Sequence, residues 1–101
     1  MNDYDDVLDN ARDELYRQVE KWGEQNHPDG TGLDGSKYFA DWARSLADEN
    51  HDNGTLTWAD ILTEEFYEAL AEKESSRLRE ELIQVAAVAL QWADAIDRRE
   101  H

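Results

Sequence analysis

The fold is decided by residues 57–98, TWADILTEEFYEALAEKESSRLREELIQVAAVALQWADAIDR. Apolar residues return every three or four positions here, first as Ile61, Leu62, Phe66, Ala69 and Leu70. After a short polar break they return as Leu78, Leu82, Val85, Ala89, Trp92 and Ile96. That period is helical, and neither segment shows the alternation of a strand. Thr57 is a helix cap with Asp60 three residues on, close to a capping box, and this helix should reach about Lys73. Ser75 or Ser76 restarts a second helix that runs to about Arg98. So short a break folds the two helices back as an antiparallel hairpin.

Outward from the hairpin, the rest of the chain reads the same way. Tyr4, Leu8, Ala11, Leu15, Val19 and Trp22 form one apolar stripe on a helix that should stop near Gly23. GEQNHPDGTGLDG, residues 23–35, is a loop dense in turn formers and long for a small domain. Ser36 is the expected N-cap of a helix to about Glu49, with Tyr38, Phe39, Trp42, Ala43 and Leu46 on its apolar face. Asn50 to Gly54 should then break it. The expected architecture is a single all-α domain over residues 1–101, a four- to five-helix bundle with no internal repeat.

Composition narrows the function. Twenty-five acidic and ten basic residues give a formal charge of −15. That excludes extended contact with DNA or RNA, which is driven by Lys and Arg neutralising phosphates. With no Cys there are neither disulfides nor thiolate metal sites. No apolar run approaches the roughly 20 residues of a membrane span, and the first ten residues are acidic rather than signal-like, so a cytoplasmic location is expected.

Several of the acids fall where acids are unfavourable. At about 100° per residue, Glu65 lies inside the apolar arc of its helix, roughly 40° from Ile61, and Glu68 lies at the edge. Glu64 points further toward solvent. Glu65 and Glu68 are neighbours one turn apart, where like charges repel. On the following helix Glu81 flanks the apolar stripe, Gln84 comes three residues later, and Glu80 points away. Carboxylates gathered in this way either bend outward to edge the core or hold a hard divalent cation such as Mg²⁺ or Mn²⁺. Helical geometry leaves both readings open.

Glu64-Glu65-x-x-Glu68, twelve residues, then Glu81-x-x-Gln84 resembles the EExxE…ExxD signature of the MazG-like all-α nucleoside triphosphate pyrophosphohydrolases. RQVEKWGEQNHPDGT (17–31), WADILTEEFYEALAE (58–72) and LREELIQVAAVALQWADAI (78–96) extend the likeness over most of the chain. The resemblance implies a Mg²⁺-dependent hydrolase, with Mn²⁺ as an alternative ion. Its substrate would be a ribo- or deoxynucleoside triphosphate, or a non-standard or alarm nucleotide, cleaved to monophosphate and pyrophosphate. It implies Glu65, Glu68, Glu81 and Gln84 as metal ligands and the hairpin as the metal-binding element. Glu64 and Glu68 become the carboxylates serving catalysis, and the assembly becomes a homodimer or tetramer. Gln84 stands where the family has Asp, so the site lacks one negative charge. A weak or inactive nucleotide-binding module is therefore the alternative.

Gln18, Lys21, Trp22, Gln25 and Asn26 are the candidate nucleotide contacts, with Trp22 stacking on a base, although Trp22 also reads as the end of a core stripe. Lys73, Arg77 and Arg79 flank the hairpin turn and read better as solvated surface. His27, His51 and His101 show no ligand spacing for zinc. GTGLDG lacks the Lys-Ser/Thr ending and preceding strand of a phosphate-binding loop.

Overall fold

A computed structural model describes residues 3–100. Four helices follow in order: α1 (Asp5–Trp22), α2 (Ser36–Asp52), α3 (Trp58–Ala71) and α4 (Ser75–Arg99). No strand occurs among the described residues, so the chain is all-α. None of these helices is long and apolar enough to cross a membrane. Two compact units arise, one from the residues up to Asp29 with those from Leu90 onward, the other Gly30–Ala89.

In the first unit, α1 ends at Gly23, which takes φ 73° and donates its N–H to Val19 O at 2.7 Å, as the sequence predicts. The expected core stripe does not form a core. Leu8, Leu15, Val19 and Trp22 are exposed, and Val7 is the buried residue of α1. On α4, Asp94 is buried and accepts from Arg98 Nε at 2.8 Å, so its charge is compensated within its own helix.

In the second unit, α2 and α3 pack antiparallel. Phe39 stacks on Tyr67 near the start of α2 and the end of α3, whereas Asn50 near the end of α2 meets Asp60 at the start of α3, so the two helices run in opposite directions. The seam between them is made of alanine. Ala40, Ala43 and Ala47 of α2 and Ala69 of α3 are all buried. Side chains this small let two helices approach closely. Tyr38, Phe39 and Trp42, read from the sequence as part of the apolar face of α2, lie on the flank of the seam and are 49–71% exposed in the single chain. They form an aromatic belt with Tyr67 around a hollow of about 280 Å³.

The boundaries of α2 differ from those expected. Its N-cap is Gly35 at φ 88°, a conformation that suits glycine, and Ser36 is the first helical residue. The helix runs on to Asp52 because Asn50 is held by α3: its Nδ2 donates to Asp60 Oδ2 at 3.0 Å. Thr57 and Asp60 form a complete capping box at the start of α3. That helix ends at Ala71, two residues short of Lys73, where Glu72 turns extended. Gly32 N–H donates to Leu70 O at 2.8 Å and so takes up one carbonyl of the last turn. The loop comes so close that a Cβ on Gly32 would stand 2.6 Å from Lys73 Cγ.

Residues 72–74 join α3 to α4. Glu65 and Glu68 of α3 gather with Glu81, whereas Leu62 and Phe66 share a hollow with Val85. The order reverses across the joint, so α3 and the first turns of α4 form an antiparallel hairpin.

Candidate metal centre

Each acid of the cluster is delivered by helix periodicity. Glu65 and Glu68 project from adjacent turns of α3, and Glu81 faces them from the second turn of α4. One carboxylate oxygen from each of the three lies within 4.8 Å of the other two. All three residues are half-buried. Glu65 Oε2 and Glu81 Oε2 are shielded from solvent and accept no hydrogen bond from any described residue. Carboxylate oxygens left like this are costly to keep ionised unless a positive group joins them.

The electrostatics agree. Burial pushes the Glu65 carboxyl above the ordinary glutamate range, and the charges of Glu68, Glu81 and Glu64 push it further. Burial likewise raises Glu81, with Glu68, Glu72 and Glu80 adding and Arg44 opposing. Glu64 is raised by burial, then by Glu68 and Asp48, again against Arg44. Three neighbouring carboxyls thus all resist ionisation, a pattern found where a site awaits a cation or a proton.

The cluster opens into a hollow of about 230 Å³ lined by Lys37, Asp41 and Arg44 of α2, by Glu68 and Glu72, and by Glu81. Arg44 Nη2 donates to Glu68 Oε1 at 2.9 Å, and Arg44 Nε stands 3.9 Å from Glu64 Oε1. Lys37 is paired with Asp41 at 2.9 Å. A second hollow, of about 390 Å³, shares Lys37 and Ala71 with the first and adds Lys73 and the loop residues Gly32 to Gly35.

The sequence-predicted residues are distributed unevenly. Glu65, Glu68 and Glu81 come together. Glu64, which helical geometry sets further toward solvent, is nearly as covered as Glu68, its side chain 24% exposed against 21%, because Arg44 of α2 reaches across both. Gln84 is exposed, one turn beyond Glu81. Gln18, Lys21, Trp22, Gln25 and Asn26 belong to the first unit and are all exposed. Their described contacts are local: Gln18 Nε2 donates to Glu14 Oε1 at 3.2 Å, Gln25 Oε1 lies 3.0 Å from His27 Nε2, and Lys21 Nζ lies 4.9 Å from the centre of the Trp22 ring.

Sequence reasoning missed Arg44, Lys37 and Asp41. Arg44 follows Ala43 in the seam and comes four residues after Ala40, so its place beside α3 follows once the alanines are read as the buried face.

Compared with known proteins, the chain matches no family model, no curated protein and no solved structure.

Proposed function

We propose that this chain is a divalent-metal-dependent nucleoside triphosphate pyrophosphohydrolase of the MazG-like kind. The observation that carries the reading is the convergence of three glutamate oxygens from α3 and α4, with an oxygen on Glu65 and another on Glu81 buried and unpartnered. The donor set fits a hard cation. Mg²⁺ takes oxygen ligands at about 2.0–2.1 Å, so opposite ligands stand about 4.2 Å apart, slightly inside the 4.8 Å limit of the cluster. Glu65, Glu68 and Glu81 would hold the ion, with the Gln84 carbonyl as the neutral fourth donor that the sequence motif suggests.

When bound, such an ion polarises phosphate oxygens and lowers the pKa of a water molecule. The chain's own contribution is positional. Glu64 lies beside the three-oxygen cluster without being part of it, and with Glu68 it is the carboxylate available to take the proton of the attacking water. Water adds to the α-phosphorus, the bond from that phosphorus to the α–β bridging oxygen breaks, and pyrophosphate leaves with the bridging oxygen. Lys37 and Arg44 give the hollow positive charge beside its acids, which suits a metal–phosphate complex better than either ion alone.

The second reading, a nucleotide-binding module without turnover, is favoured by one observation: Gln84 is neutral and exposed. Self-association belongs to the first reading, because Leu15, Trp22, Tyr38 and Leu33 are each more than 60% exposed in the single chain.

Product analysis decides between them. Monophosphate plus pyrophosphate formed only with Mg²⁺, and lost in a Glu65→Ala/Glu68→Ala double variant, is the expected result. Turnover that persists in the double variant removes the assignment. Tight nucleotide binding without turnover, with activity gained on Gln84→Asp, selects the binding module.

A further inference from the structure

Arg44 joins two parts of the second unit that the metal reading leaves unconnected. The candidate ligands come from α3 and α4, whereas Arg44 comes from α2. Its neighbour Ala43 is buried in the seam, so the side chain starts from a fixed point, while that side chain is about half exposed along the hollow. It donates from Nη2 to Glu68 Oε1 at 2.9 Å and approaches Glu64 through Nε. Among the described residues, Glu68 is the one member of the cluster that receives such a donor. Lys37, the other cation lining the hollow, already pairs with Asp41.

Resting on the metal reading, we propose that Arg44 is a built-in counter-ion that a divalent cation displaces from Glu68, and that the released guanidinium then binds a phosphate oxygen of the ligand. Two positive groups competing for one carboxylate repel each other, so occupancy by the ion weakens the hold of Arg44. An Arg–carboxylate pair this exposed is weak, worth no more than about fivefold in population, and is readily exchanged. A guanidinium set free beside a metal-bound polyphosphate meets phosphate oxygens that its planar fork can engage two at a time. Arg44 thereby guards an empty acidic site and recognises the anion that arrives with the ion.

The test is calorimetry on the full chain, titrating Mn²⁺ alone and then a non-hydrolysable triphosphate at saturating Mn²⁺. Arg44→Met should bind Mn²⁺ alone about two- to fivefold tighter than the unmodified protein, since a competitor is gone. It should bind the triphosphate about tenfold or more weakly, with Arg44→Lys in between. Mn²⁺ binding that is unchanged or weaker in a folded Arg44→Met protein overturns the proposal, because Arg44 then merely holds Glu68 in place. Unchanged triphosphate affinity overturns it equally. A wild-type measurement covers the case in which Arg44→Met does not fold. The Arg44 Nε–H NMR signal, assigned with Arg44→Lys, should move with Mg²⁺ in step with the binding isotherm, and a signal fixed at saturation sinks the idea. Absence of Mn²⁺ binding by the unmodified protein, or binding untouched by Glu65→Gln, is a failure of the metal reading itself and takes this proposal with it.

Discussion

Glu65 keeps one carboxylate oxygen where neither solvent nor a described donor reaches it, and Glu81 does the same from the facing helix. The sign of the pH effect follows. Glu64, Glu65 and Glu81 all have raised pKa values, burial being the first cause in each. A carboxyl that holds its proton more tightly in the folded chain stabilises it fully below the unfolded pKa and loses that stabilisation as pH rises through the folded one. The metal-free protein should therefore gain melting temperature on acidification from neutrality toward the ordinary glutamate range. Glu65→Gln should flatten that rise, whereas Glu80→Gln at an exposed position should leave most of it. Saturating Mg²⁺ should abolish it. A melting temperature independent of pH across this window would show that the cluster is not under charge stress. The three-glutamate cluster was legible because helical spacing places Glu65, Glu68 and Glu81 near the facing sides of a hairpin. Arg44 was not, since it lies 24 residues from Glu68 and nothing local announces the pairing.

At the scale of elements, α3 is the best specified. Asp60 N–H donates to Thr57 Oγ1 at 3.1 Å while Thr57 N–H donates to Asp60 Oδ2 at 3.0 Å, and Asn50 adds a third bond. Those bonds, the Thr57 backbone first, hold the Asp60 carboxyl below the ordinary range. Its contribution is thus present above the unfolded pKa and lost as pH falls through the depressed one, opposite in sign to the glutamate cluster. Thr57→Ala should destabilise the chain by about 1 kcal/mol, read from denaturant midpoints at constant slope. The box was visible in the sequence because Thr-x-x-Asp ahead of an apolar run has few other meanings. The start of α2 was not, because a glycine N-cap offers no side chain to recognise. Its apolar face was legible, Ala43 included, but not which of its residues would be buried. Close helix approach buries Ala40, Ala43 and Ala47 and leaves the larger Tyr38, Phe39 and Trp42 on the flank.

For the whole molecule, the apolar stripes of α1 and α2 were legible as amphipathic faces, but a sequence does not say whether such a face meets its own chain or another. In the single chain they are largely exposed. A second copy covering them would link folding to association, so the melting temperature should rise with protein concentration. Sedimentation at the same concentrations should show the matching change in mass, and a melting temperature flat over a hundredfold dilution would identify a folded monomer. The charge of −15 works against association between copies. Raising salt should therefore favour the larger species.

The alanine seam also sets the calorimetric character of the chain. Heat-capacity change on unfolding tracks the apolar surface newly exposed to water, and each alanine exposes little. Ala40, Ala43, Ala47 and Ala69 make up most of the buried apolar residues among those described, beside Val7 and Leu78. With so few large side chains fully buried, the isolated chain should have a shallow stability curve, which scanning calorimetry would read as a small heat-capacity step on unfolding.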